Sequence, residues 1–242
     1  MTEAEIQLEL NIRYEEIINL GMMREWQEQN PKLSGVFLPS ISQAYLDSSL
    51  RLMIVGRETK GWGRGISHAS QFNTSKEYIE YMIRRHASQF ERPAKKSKFF
   101  QFYHEASSYL HGKGSGVHAP IIWGNLFCVS HNESSPQKLD GKLLRDIIYT
   151  SQKLLQSQIE ILQPQIVLFT TGPDYDRYIK EYFEIKKSHV IERKRLWRFE
   201  TPRFIAYRTN HPRCAVGKEY RTNALKLING LKSGHDFTNI PA

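Results

Sequence analysis

The stretch Leu52-Met53-Ile54-Val55-Gly56-Arg57-Glu58-Thr59-Lys60-Gly61-Trp62-Gly63 decides how this chain is read. Four apolar residues end at a glycine, and charge follows at once. So short a run, apolar throughout, fits a strand buried on both faces, as in a parallel sheet. Similar runs occur at residues 121–129, at residues 166–169 after Pro164, and at residues 203–207 after Pro202. Apolar residues at helical spacing fill residues 76–90, 98–110, 140–162, 172–183 and 220–231. Strands alternating with helices predict an α/β fold, a three-layer α/β/α sandwich with a central, mostly parallel four-stranded sheet. Residues 194–199 and 203–207 are expected to pair as an antiparallel hairpin around Thr201-Pro202. Residues 3–29 are expected to form an amphipathic helix ended before Pro31. A single domain over residues 1–242 is expected, with a helical extension over about the first 50 residues.

Apolar residues make up 40% of the chain, enough for one packed core. Lys and Arg number 34 against 25 Asp and Glu, a formal charge of +9. Such a balance favours polyanionic partners. Cys128 and Cys214 are the only cysteines, too few for a disulfide framework or an iron–sulfur cluster. The acidic, polar residues 1–9 lack the apolar core of a signal peptide. No run approaches the roughly 20 apolar residues of a membrane span. A cytoplasmic protein without membrane association is expected.

Several familiar motifs are excluded. Gly112-Lys113-Gly114-Ser115-Gly116 lacks phosphate-loop spacing and precedes a strand instead of following one. Gly61, Gly63 and Gly65 do not make a dinucleotide fingerprint. His104, His111 and His118 have no cysteine partners at zinc-site spacing. No metal and no cofactor are expected.

The features that remain stand at strand ends, where open α/β sheets bind ligands. Gly56, Arg57 and Glu58 follow the first run. Asn125 lies within Trp123-Gly124-Asn125-Leu126-Phe127, where a side-chain amide among apolar residues offers a donor and an acceptor suited to a nucleobase edge. Asn210-His211-Pro212-Arg213 follows the run at 203–207. The run from Leu162 through Pro164 and Ile166–Phe169 to Gly172 reads as scaffold.

Taken in order, these segments make the chain resemble the uracil-DNA glycosylase superfamily over residues 51–231. Members of that family have a strand ending in a Gly-x-Asp/Asn motif, here Gly56-Arg57-Glu58. A base-reading Asn follows, here Asn125. A strand of the form LxPxxVxxxG comes next, and then a His-Pro motif, here His211-Pro212. The chain departs from the pattern at Glu58, which is longer than the usual acid or amide. It departs also at Thr59, where Pro is usual, and at Arg213, where a small residue is usual. Lys60 falls near the position of the tyrosine that excludes thymine in the strictest uracil enzymes.

The resemblance implies a monofunctional DNA glycosylase acting as a monomer on single- or double-stranded DNA, without a cofactor. It flips a damaged or modified base and hydrolyses the N-glycosidic bond. Glu58 would activate water and stabilise the cationic sugar, and His211 would hydrogen-bond the departing base. Asn125 would read the base edge over a floor at Gly56, with Phe72 and Trp62 as stacking candidates. Arg64, Arg213, Lys218 and Arg221 would meet phosphates, and residues 213–216 would enter the groove. The base stays open: uracil, or a bulky hypermodified base of phage DNA, which would give a defence role. Also open are a DNA-binding module that excises nothing, and a hydrolase of free nucleosides or nucleotides.

Overall fold

A computed structural model describes residues 2–62, 68–90, 97–112 and 120–232. In chain order the elements are α1 (Glu3–Ile17), α2 (Leu20–Gln29), α3 (Gln43–Leu46), β1 (Leu52–Gly56), α4 (Ser75–Ala87), α5 (Lys98–His111) and β2 (Ile121–Asn125). They continue with α6 (Gly141–Leu162), β3 (Ile166–Phe169), α7 (Asp176–Tyr182), β4 (Lys187–Glu192), β5 (Leu196–Glu200), β6 (Ile205–Arg208) and α8 (Lys218–Lys232). No helix among the described residues is long and apolar enough to cross a membrane.

The fold is α/β, but its sheet is six-stranded and mixed, in the order β2-β1-β3-β6-β5-β4. This corrects the expected four-stranded, mostly parallel sheet. β1 pairs β3 in parallel, with Ile54 opposite Leu168. β3 pairs β6 in parallel, with Leu168 opposite Tyr207. β5 and β6 form the expected antiparallel hairpin, and β4 adds a further antiparallel strand on β5. β4 escapes a reading by hydrophobicity because Lys187, Ser188, His189 and Glu192 leave few apolar positions, and the strand is mostly exposed. β2 is shorter than the apolar run that contains it. Beyond Asn125, the amides of Leu126 and Phe127 donate to the carbonyls of Gly56 (2.9 Å) and Arg57 (2.8 Å).

The chain divides into two compact units. The first comprises Met1–Ile41, Gly56–Arg92 and Trp123–Leu162. Here α1 buries Ile6, Leu10 and Tyr14 and packs against α4 and α6. The expected single N-terminal helix is two helices. The chain turns extended at Ile18, and the Asn19 side chain caps α2 by accepting from the amides of Gly21 (2.7 Å) and Met22 (3.4 Å). Thr74 and Glu77 form a capping box that starts α4.

The second unit comprises Ser42–Val55, Pro93–Ile122 and Gln163–Ala242. In it α8 packs against α5 and β5. Phe199 of β5 stacks on Trp197 and on Phe169 of β3, with centroids 4.3 and 5.8 Å apart. At the end of β6 the buried Arg208 makes a two-pronged pair with Asp176, Nε to Oδ1 at 2.7 Å and Nη2 to Oδ2 at 2.8 Å. This fixes the first turn of α7 against the strand that leads to His211.

Removing one partner of such a pair leaves a charge buried and uncompensated. Asp176→Ala is expected to lower unfolding stability by roughly 3 kcal/mol. Lys187→Ala, which breaks the exposed Lys187–Glu200 pair, is expected to change it by less than about 1 kcal/mol. Urea unfolding followed by tryptophan fluorescence compares the two, and equal effects would remove Arg208–Asp176 as a structural constraint.

Candidate functional site

In the first unit, residues 57–62 leave β1 at Gly56, which is buried and is the last residue of the strand. Glu58 is half-buried on this segment. The segment is tied at its start by the Phe127 amide, which donates to the Arg57 carbonyl (2.8 Å), and twice at its far end. The Gly35 amide donates to the Trp62 carbonyl (2.9 Å), and the Gly61 amide donates to Ser130 Oγ (3.2 Å). Gly61 has a φ of +60°, and a Cβ there would lie 3.2 Å from Glu133 Cγ. Lys60 pairs with Glu133 at 3.7 Å. The strand-end acid is therefore carried on a segment of fixed course.

Trp62 ends that segment in an aromatic cluster. Phe37 lies 5.5 Å from Trp62, 5.3 Å from His86 and 4.5 Å from Trp123 between ring centroids. Trp62 and Trp123 are 6.0 Å apart, edge to face, and the Arg85 guanidinium lies 5.3 Å from the Trp62 centroid. Asn125 joins the cluster through its side-chain Oδ1, which accepts from Trp123 Nε1 at 3.0 Å. The cluster holds several buried donors with no partner among the described residues: Trp62 Nε1, Arg85 Nε, His86 Nε2 and Asn125 Nδ2. The Thr59 hydroxyl, on the segment leading to Trp62, shares that state. Buried polar groups without partners are uncommon in folded proteins and ask for an explanation.

His86 is 1% exposed. Its Nδ1 accepts from the Ser40 amide at 2.9 Å, so the proton of the neutral ring sits on Nε2. Burial pushes its pKa down from 6.5 to about 3, which keeps the ring neutral. Phe72 stands elsewhere in this unit. It packs edge-on against Tyr78 and tilted against Tyr81, at 5.2 and 5.1 Å, and its ring contacts are with α4.

In the second unit, β6 leads into a turn at residues 210–214. The half-buried His211 accepts at Nδ1 from the Arg213 amide (3.2 Å). A neutral ring in that bond carries its proton on Nε2. Its carbonyl accepts from the Cys214 amide at 2.8 Å. Arg221, only 6% exposed, reaches back from α8. Its Nη1 donates to the carbonyls of Asn210 (3.5 Å), His211 (3.3 Å) and Cys214 (3.1 Å), and its Nη2 to that of Pro212 (3.5 Å). Arg221 thus spends its donors on the turn. Gly217 closes the same knot, since a Cβ there would lie 2.5 Å from Asn210 Cβ and 2.9 Å from Arg221 Nη1.

A groove of 340 Å³ beside this turn is lined by residues of α5, the turn and α8, among them Lys98, Phe102, Arg213, Lys218 and Arg221. Lys98, Arg213 and Lys218 are exposed. Glu105 is the one acid of the lining, so the groove is basic. Val216, 65% exposed, stands on the short helical turn before α8. Arg64 lies outside the described residues, as do residues 113–119 with His118.

His86 and Lys98 carry no motif in the sequence. His86 had one legible signal, a histidine on the apolar stripe formed by Ile79, Met82 and Ile83 of α4. Lys98 had none, because only packing brings α5 beside α8. No group of three or more His, Cys, Asp or Glu able to hold a metal occurs among the described residues. Compared with models of known protein families and with curated proteins, the chain matches none.

Two outcomes follow from this geometry. Arg221→Met is expected to speed amide exchange at Cys214 and to cost roughly 2–3 kcal/mol, because several buried carbonyls lose a charged donor. Unchanged exchange at Cys214 would show that the turn stands without Arg221. For His86, the folded pKa lies below the unfolded one, so its contribution is complete above about pH 6.5 and is lost as the pH falls toward 3. Between those limits His86 is expected to add a slope of about 1.4 kcal/mol per pH unit, and urea unfolding across the window should show a shallower slope in His86→Phe.

Proposed function

We propose that this protein is a DNA glycosylase of the uracil-DNA glycosylase type, excising a damaged or modified base. The observation that carries the reading is the aromatic cluster around Asn125, with its buried N–H donors that have no partner among the described residues. A planar, acceptor-bearing ring is the ligand that such a cluster suits, through stacking and edge-on hydrogen bonds. The βαβ core with parallel β1, β3 and β6 supports it, since both the acid and the His-Pro turn follow strands of that core.

The chemistry follows from charge. Breaking an N-glycosidic bond leaves positive charge on the sugar and negative charge on the base. In this reading Glu58, as carboxylate, faces the sugar, stabilises the developing cation and orients the attacking water. His211 donates from Nε2 to a base oxygen as negative charge gathers there, and the Arg213 amide on Nδ1 keeps the ring in that tautomer. Groups fixed before reaction cost no reorganisation during it. Arg221 has the role of a positioning residue, holding the His211 turn. The basic groove of Lys98, Arg213 and Lys218 takes the phosphate backbone. Val216, exposed beside it, is suited to fill the place of a flipped base.

The basic groove also fits a second reading, a module that binds DNA and excises nothing. One experiment separates them. Labelled duplexes containing modified bases are incubated with the protein under single-turnover conditions, and alkali reveals abasic sites. Glu58→Gln is expected to slow excision by roughly a hundredfold or more while leaving DNA affinity near wild type. Lys98→Gln, Arg213→Gln and Lys218→Gln should each lower the slope of log affinity against log salt by about one. Salt-dependent binding without excision would favour the binding module, and excision unaffected by Glu58→Gln would remove Glu58 from the mechanism.

A further inference from the structure

The sheet edge that carries the His211 turn carries a second loop. β6 runs into the His211 turn beyond Arg208, and β5 lies antiparallel beside it with Trp197 opposite Arg208. β5 therefore begins where β6 ends. β4 completes the outer hairpin, with Glu192 opposite Leu196. Its turn, Arg193-Lys194-Arg195, thus leaves the sheet at the edge from which His211 leaves it. Two strand spacings, about 10 Å, separate β4 from β6.

This turn also stands beside α8. A groove of 470 Å³ is lined by Ile191, Glu192 and Leu196 of the hairpin and by Glu219, Tyr220 and Asn223 of α8. The basic groove takes Lys218, Arg221 and Thr222 from the same stretch of that helix. The start of α8 therefore separates the groove of Lys98, Arg213 and Lys218 from the hairpin tip.

The tip concentrates positive charge. Arg193 and Lys194 are exposed, and Arg195 is half-buried. Other cations of the hairpin have partners, Lys186 in Glu184, and Lys187 and Arg198 in Glu200 at 3.3 and 2.8 Å. Arg193, Lys194 and Arg195 have no ion pair among the described residues. Glu192 and Glu219 are the acids of the groove beside the tip, and Lys226 adds a further cation to it.

The backbone gives this charge a cost. The Arg195 amide donates to the Glu192 carbonyl at 3.0 Å, closing a turn whose third residue, Lys194, has a φ of +61°. Glycine or asparagine is the ordinary occupant of such a position, and a lysine there strains the chain. A tip that served only to reverse direction would be more stable with glycine.

We propose that the turn at Arg193-Lys194-Arg195 is a second phosphate-binding element, meeting duplex DNA that lies in the basic groove and passes the start of α8. This rests on the reading of that groove as the DNA site. Guanidinium and ammonium groups suit phosphate oxygens, and such contacts position a duplex without reading it. A free nucleotide held in the groove has no phosphate to spare for the tip. A duplex carries a charge every 1.7 Å or so of its axis, about enough for both sides of the helix.

The test measures binding of the full chain to a fluorescently labelled duplex of ordinary DNA across a range of salt. Arg193→Gln combined with Arg195→Gln should lower the slope of log affinity against log salt by about two. Lys186→Gln combined with Lys187→Gln removes the same formal charge near the start of β4 and should leave the slope nearly unchanged. Lys194→Gly should lower the slope by about one while keeping the urea midpoint at or above that of wild type, a pairing that a purely structural lysine would not give. Equal slopes in the two double variants, or a slope unmoved by Lys194→Gly, overturn the assignment of the hairpin. If Lys218→Gln still lowers the slope, the reading of the groove stands. Salt-independent binding by wild type, or no binding, overturns both.

Discussion

The burial of β1 on both faces is the constraint from which the rest of the structure follows. All of Leu52–Gly56 is buried, and residues 52–55 are held in parallel register with β3. A segment so placed has no room for charge, so Arg57 and Glu58 can appear only where the strand ends. The Thr170 amide donates to the carbonyl of Val55 at 2.8 Å, which sets the last rung of the ladder. The Thr209 amide repeats the arrangement one strand further on, donating to Phe169 at 2.8 Å. Both candidate catalytic side chains thus follow from the same rule, that polar chemistry starts where double-sided burial stops.

Two kinds of polar group then meet two different ends. Around His211 the backbone of the turn is well supplied with donors. Arg221 satisfies turn carbonyls, Arg213 satisfies the ring nitrogen, and Gly217 permits the close approach. Around Asn125 several donors are buried without a partner among the described residues. Each such group costs about 1–3 kcal/mol in a folded protein. A turn whose carbonyls are held by a buried guanidinium and a cluster with donors to spare suit different tasks, the first holding a group in place and the second receiving something from outside.

The basic excess of the chain also finds a local expression. The exposed Lys98, Arg213 and Lys218 gather at one groove with a single acid among its lining. A charge of +9 says only that polyanions are favoured. The packing of α5 beside α8 says where a phosphate backbone would find several cations at once.

The parallel strands β1 and β3 were legible in the sequence because double-sided burial writes itself as an unbroken apolar run. The hairpin of β5 and β6 was legible from its Pro-centred turn. β4 was not, since an edge strand with exposed Lys187, Ser188 and Glu192 leaves no hydrophobic pattern. The break at Asn19 was missed because the apolar spacing of α1 and α2 continues across a cap. Glu58, Asn125 and His211 could be singled out by their places beside or within strands. The bond from the Trp123 indole to Asn125, the tautomer of His86 and the inward turn of Arg221 could not, for each depends on a partner distant in the chain or on a side-chain direction. The sequence by itself determined the class of fold and which residues lie at the ends of buried strands, because burial is read from composition and period. Only the tertiary structure decided which donors stay unpartnered and which cations share a groove, because hydrogen bonds and charge clusters are made between segments that only packing brings together.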